Sequence, residues 1–296
     1  SGDAVVSIEP RYHEVAEAAL SRGFDMVNDI GGFADPEMPR VCREHDVGVG
    51  KRASPPDLTR PGAVESVDDI YDALGQNGFT DKTIVDPAFG GWSEEKTLED
   101  DRETFHRLRE FRGLGYPILV SINRKNFLRS VADRATEEAL PVSLAATSMA
   151  IERGAHVVRT HDVAETRDAA LIGQEFARER LRSRDAGDVA VEELDVTTPR
   201  EAERHLERLG GAGGADEADV ATVSATAVVR VFELAGLSDA AIGAVSAVAA
   251  NADVAVVSGG GRQPDGEGRS ALVFGTPQAL SELDRAVDGS DALKDA

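Results

Sequence analysis

Hydrophobic residues in the first 165 positions fall into short uninterrupted runs, and each run closes on polar residues. The runs are Val-Val-Ser-Ile-Glu-Pro (5–10), Met-Val-Asn-Asp-Ile-Gly (26–31), Val-Gly-Val-Gly-Lys-Arg (47–52), Ile-Val-Asp-Pro-Ala-Phe-Gly (84–90), Ile-Leu-Val-Ser-Ile-Asn-Arg-Lys (118–125) and Val-Val-Arg-Thr-His-Asp-Val (157–163). They lack the polar alternation of a half-exposed strand, as strands buried on both faces do. Between them, apolar residues recur at helical spacing, predicting helices over 11–22, 36–45, 66–77, 99–113, 137–153 and 164–180. Pro36 opens the second of these, Gly23 and Gly154 stop two others, and the prolines after Arg52 mark a loop. Alternating strand and helix predicts a parallel sheet covered by helices. Six βα units are visible where a closed barrel of this kind has eight, so the expected class is α/β, of (β/α)8 TIM-barrel type.

The pattern changes after about 183. Residues 183–190 are polar, and the glycine-rich stretch 210–217 reads as a linker. Helices are expected at 199–209, 219–235 and 238–250, and strands at 253–257 and 271–274, with Gly259-Gly260-Gly261-Arg262 as a surface loop. The Arg200–Arg208 stretch reads as a solvated helix face. These features predict a barrel domain over 1–182 and a small α+β module over 190–296 whose role the sequence does not assign.

Composition narrows the classes of function. No run of 18 apolar residues is present, so a membrane span is not expected, and Ser1-Gly2-Asp3 does not open a signal peptide. The single cysteine, Cys42, excludes an internal disulfide and is expected to pack in the core. A cytoplasmic location follows as the expectation. The net charge is −22, from 54 acidic against 32 basic residues, and only five of the basic ones are lysines. An acidic, lysine-poor surface resembles proteins of salt-loving organisms, in which salt screens self-repulsion. It opposes nucleic acid as a partner, because phosphate backbones need a basic face.

The chemistry sits at the strand ends, where a β/α barrel keeps its active site. They present Glu9, Asn28, Asp86, Lys125, Arg159 and His161. Acceptors and an amide come from the earlier strands, and cations from the last two. Such a set suits a heterocycle rich in N–H donors on one side and an anionic leaving group, phosphate above all, on the other. No Cys/His spacing suits zinc. His13, His45, His106 and His205 fall among charged helix positions and are expected to be exposed, whereas His156, opening a strand, reads as structural.

In order and spacing these motifs resemble the dihydropteroate synthases of the pterin-binding barrel family. The resemblance is carried by Ser7-Ile8-Glu9-Pro10, Val27-Asn28-Asp29-Ile30-Gly31-Gly32, Val85-Asp86-Pro87-Ala88-Phe89-Gly90, Leu114-Gly115-Tyr116-Pro117 with Asn123-Arg124-Lys125-Asn126-Phe127, and Val158-Arg159-Thr160-His161-Asp162-Val163. It spans about residues 5–175. It implies attack of the p-aminobenzoate amine on the C6 methylene of a dihydropterin pyrophosphate, with release of pyrophosphate. It further implies that Glu9, Asn28, Asp86 and Phe89 bind the pterin. Arg124 and Asn126 would meet the aminobenzoate, and Lys125, Arg159 and His161 would act in catalysis. A homodimer and Mg²⁺ are implied as well, although the family's metal-holding first strand has no counterpart here, so no metal ligand is assigned.

Several departures qualify the resemblance. Glu9 stands where the family has Asp. Three extra residues precede Lys96, whose role is left open beside that of a solvated helix start. Gly50-Lys51-Arg52 replaces a Met-His sequence and offers phosphate contacts. Two family strands have no counterpart here, which leaves a piece of a longer polypeptide or a divergent form whose C-terminal module patches the gap; a strand so near the start favours the first. Two other readings stay open: a pterin-dependent methyltransferase barrel, and a non-catalytic pterin-binding scaffold.

Overall fold

The computed structural model describes residues 4–54, 64, 66–76, 79–90, 96–177, 184–186, 189–191, 194–210, 217–259 and 269–288. Most of the proline-rich loop, the glycine-rich linker and Gly260–Arg262 lie outside the described residues. The chain divides into two compact units, Ser1–Leu181 and Arg182–Ala296.

In the first unit, β1 (Ser7–Ile8), β2 (Met26–Asp29), β3 (Gly48–Arg52), β4 (Thr83–Asp86), β5 (Ile118–Val120) and β6 (Ala155–Val158) form one sheet in sequence order. Every neighbouring pair is parallel. The connections carry α1 (His13–Leu20), α2 (Met38–Glu44), α3 (Val67–Gly75), α4 (Leu98–His106), α5 (Asn126–Ala132), α6 (Leu140–Glu152) and, after β6, α7 (Val163–Glu175). A sheet that adds each new strand on the same side, through a helix each time, is the β/α barrel pattern. All strand C-termini therefore share one end, and the polar residues gather there.

The helices cover the sheet with two apolar clusters. Ala16, Leu20, Val27, Met38, Val41, Cys42 and Val49 pack α1 and α2 onto β2 and β3. Ile70, Leu74, Val85, Phe105, Phe111, Ile118, Val120 and Ala150 do the same for α3 to α6. Cys42 is fully buried, and burial pushes its thiol up to about 11, as a packing residue requires.

Three differences from the sequence reading have local causes. The helix expected over 99–113 is α4 followed by a 3₁₀ helix at Leu108–Leu114, which buries Leu108 and Phe111 at the three-residue repeat of that form. It stops at Gly115, whose φ of +76° favours glycine. α5 was not anticipated: it fills the stretch before α6 and ends at Asp133 in the left-handed region, φ +49°. The helix expected over 219–235 breaks after α9 (Glu217–Ser224), and Arg230–Leu237 forms strand β9. Val228, Val229, Val231 and Phe232 favour a strand, and antiparallel pairing with β11 (Arg269–Gly275) decides for it.

The second unit also holds a short hairpin, β7 (Arg184–Ala186) with β8 (Val189–Val191), in the stretch read as polar. Helix α8 (Pro199–Gly210) and the three-stranded sheet β10 (Ala255–Gly259)–β11–β9 follow. Packed on that sheet are α10 (Asp239–Ala249) and α11 (Pro277–Asp288), the latter not anticipated. His205 and Glu201 on α8 are each 7 % exposed, so this face is buried rather than solvated.

Candidate functional site

The strand ends of the first unit enclose a pocket of about 140 Å³, lined by Glu9, Asn28, Asp29, Ile30, Gly50, Arg52, Asp86, Ala88, Phe89, Gly90, Ser121, Lys125 and Arg159. That volume is below the roughly 300 Å³ at the low end of small-molecule sites. It suits a compact ring system with the rest of a longer ligand at the mouth. Five of the six strand-end residues, all but His161, line this one cavity, together with Phe89. His161 is exposed just past β6.

Each lining side chain is set by a local device. Asp86 Oδ1 accepts from the Ala88 N–H at 2.8 Å, which orients the carboxylate at the end of β4. Asp29, 2 % exposed, accepts from the Gly31 N–H at 2.9 Å and from the Phe33 N–H, so it shapes the turn after β2. Gly50 leaves room for Asn28 on the neighbouring strand, because a Cβ there would overlap Asn28 Oδ1. Phe89 stacks on Phe127 with ring centroids 5.6 Å apart and closes the floor. Across the pocket Arg159 pairs with Glu9, Nη2 to Oε2 at 3.7 Å, joining the ends of the two outermost strands.

Electrostatics mark the pocket as poorly hydrated. Burial pushes the Asp86 carboxyl above its usual range, against the Ala88 N–H and the charges of Arg52, Lys125 and Arg159. Burial likewise lowers Lys125, helped by Arg52 and opposed by Asp86 and Asp101. A desolvated carboxylate and ammonium, Asp86 and Lys125, thus face one cleft, in which the Arg159 and Glu9 side chains are 51 % and 41 % exposed.

Other expected residues lie elsewhere. The Arg124 φ of +55° accompanies a side chain directed away from the pocket: Nη2 and Nε pair with Asp162 at 3.0 and 3.1 Å, and Nη1 donates to Thr136 O and Glu137 O. Asn126 opens α5, and its Oδ1 accepts from Arg129. Lys51, read as offering phosphate contacts, is fully buried on the opposite face of β3 from Gly50 and Arg52, as strand alternation demands. Its Nζ donates to Leu74 O at 2.7 Å and to Gln76 O, capping the end of α3 between the rings of Phe33 and Phe79. Lys96 is not a solvated helix start; its side chain is 1 % exposed and pairs with Asp101. His13, expected to be exposed, is part-buried, with Nδ1 2.8 Å from Asp35 Oδ2. His156 Nδ1 accepts from the Ile118 N–H, a structural role.

Asp29, Ile30 and Ser121 also line the pocket without having been expected there, and Gly50 does so by leaving room and not by a phosphate contact of its own. Asp29 and Ile30 adjoin Asn28, and Gly50 lies two residues before Arg52 on one strand face, so adjacency and alternation were the available signals. Among the described residues, the three-residue group able to hold a metal is His13, Glu14 and Asp35, none of which lines the pocket.

The family of pterin binding enzymes matches residues 1–161. The chain belongs to that family. Among its relatives, the dihydropteroate synthase of Bacillus subtilis is 30% identical over 164 residues, 53% of this chain and 56% of the relative. A probable bifunctional folylpolyglutamate synthase/dihydropteroate synthase of Halobacterium salinarum is 33% identical over 184 residues, 58% of this chain and 22% of the relative. The crystal structure of a Clostridium difficile dihydropteroate synthase, determined in the presence of pteroic acid, superposes with a TM-score of 0.51 at 28% identity, covering 60% of this chain and 69% of that one. The chain thus spans little more than half the length of its Bacillus relative. Among the described residues no helix is long and apolar enough to cross a membrane.

Proposed function

We propose that the pocket binds a dihydropterin pyrophosphate and joins it to p-aminobenzoate, making dihydropteroate with release of pyrophosphate. The observation that carries this reading is the convergence of Asn28, Asp86, Lys125 and Arg159 from four strands on one cavity. Asp86 accepts from the pterin amino and ring N–H groups, and Asn28 and Glu9 complete that edge. Lys125 donates to the carbonyl and ring nitrogen. The aniline nitrogen forms a bond to the C6 methylene as the C–O bond breaks. The electron pair leaves with pyrophosphate, and the amine proton passes to solvent. Charge growing on the leaving oxygen is met by Arg159 and His161, with Arg52 as a further cation of this chain. One preorganised contact of this kind is typically worth about 3 kcal/mol in the transition state.

Magnesium and a homodimer belong to the same reading. No step is routed through the metal. Sedimentation velocity checks the homodimer. The activity is tested by mixing the chain, in high salt with Mg²⁺, with dihydropterin pyrophosphate and p-aminobenzoate and assaying dihydropteroate. Product lost in Lys125→Ala and Arg159→Ala, with folding intact, supports the reading; turnover unaffected by either substitution refutes the assigned site.

A further inference from the structure

The turn that carries Asp86 holds one residue, Ala88, in a conformation its side chain does not favour. Ala88 and Gly90 both have φ +61°, a region that side chains with a Cβ avoid. Two buried side chains from the next segment brace it. Lys96 Nζ donates to Ala88 O at 3.1 Å and pairs with Asp101 Oδ1 at 3.1 Å. Asp101 in turn accepts the Gly90 N–H on both oxygens at 3.0 Å. The two side chains are 1 % and 5 % exposed, and neither lines the pocket.

Gly90 is held from its other side as well. Its carbonyl accepts from Lys125 Nζ at 3.4 Å, and a Cβ at this position would stand 3.0 Å from Lys125 Cδ. The buried pair thus reaches both pocket groups: Asp86 through the Ala88 turn, and Lys125 through Gly90. A buried ion pair is a poor source of net stability, because desolvation offsets its attraction. What it fixes here is geometry. Start of helix α4 is itself fixed by a capping box between Thr97 and Asp100, so Asp101 projects from a rigid first turn.

We propose that Lys96 and Asp101 are positioning residues of the site. Their pair locks the 86–90 turn so that Asp86 and Lys125 face one ligand edge, and Asp101 supplies a counter-charge that keeps the Lys125 ammonium protonated. The identity of that ligand rests on the pterin reading; the positioning does not.

Two variants test this. Asp101→Asn keeps an oxygen for the Gly90 N–H but removes the charge. The double variant Lys96→Met/Asp101→Asn removes both charges together and carries the test if an unpaired buried lysine unfolds the single one. The first readout is the pH titration of Lys125, followed by competitive labelling with acetic anhydride and mass spectrometry of its peptide. The second is affinity for 6-hydroxymethylpterin, followed by its fluorescence. Lys125 loses its proton at lower pH in both variants, and pterin affinity falls about tenfold, equivalent to about 1.4 kcal/mol. Folded variants with unchanged Lys125 titration and wild-type pterin affinity overturn the proposal, even if they melt earlier. If the wild-type chain binds no pterin, the ligand reading fails, while the labelling result still decides the positioning.

Discussion

Gly50 shows how a single missing side chain shapes the site. Gly50→Ala places a methyl group where Asn28 Oδ1 stands, so Asn28 must turn out of the pocket. Pterin affinity is expected to fall about tenfold, the worth of one good hydrogen bond in a dry site, while the unfolding temperature changes little. Fluorescence titration of pterin against the variant checks this, and unchanged affinity removes Asn28 from the recognition edge. Arg52 makes a second test at this scale. Arg52→Gln weakens inorganic pyrophosphate binding by about 10- to 100-fold in calorimetry, the range for a hydrogen bond to a charged group, if Arg52 meets the leaving group. The polar strand ends were legible because a parallel sheet presents its last residues to one cavity. Lys51 was not: it is the odd residue between Gly50 and Arg52, and alternation sends it to the helix side. Lys96 was obscured because its partner, Asp101, is recognisable only once Gly90 has turned back toward α4.

Among elements, the ties between helix ends and loops dominate. Lys51 caps α3, and burial lowers its ammonium to about 8 from an ordinary value of 10.5. Between those values the unfolded chain binds more protons than the folded one, so folding stability rises as pH climbs from about 8 toward 10.5. Chemical denaturation across that range measures the slope. Lys51→Met should flatten it, and an unchanged slope assigns it to another group. The His13–Asp35 contact links α1 to the segment ahead of α2 and has the opposite sense. The hydrogen bond to Asp35 raises His13 above 6.5, so its contribution is present below pH 6.5 and is lost as pH rises through the raised value. In Asp35→Asn that pH dependence should vanish. The βα alternation was legible because period and length both carry it. β9 was not, because Arg-Val-Phe-Glu-Leu-Ala-Gly-Leu (230–237) suits a helix as well as a strand, and only pairing with β11 settles its form.

For the whole molecule, a net charge of −22 sets the conditions under which any of this is measurable. Self-repulsion weakens as the Debye length falls from about 10 Å at 0.1 M salt to about 3 Å at 1 M. The unfolding temperature should therefore rise with KCl over that range, as expected of a protein adapted to salt; a flat response removes that reading. The six-stranded sheet brings the strand ends onto one cavity within the segment, residues 1–161, that matches the pterin binding enzymes. The central claim is that Asp86 reads the pterin edge in this cavity. Titration calorimetry of dihydropterin pyrophosphate in high salt tests it most directly, comparing the wild-type chain with Asp86→Ala. Wild-type binding is expected to be saturable at one site and to weaken at least tenfold in the folded variant, the loss of a charge-assisted hydrogen-bond pair. Equal binding by both proteins, or none by the wild type, contradicts it.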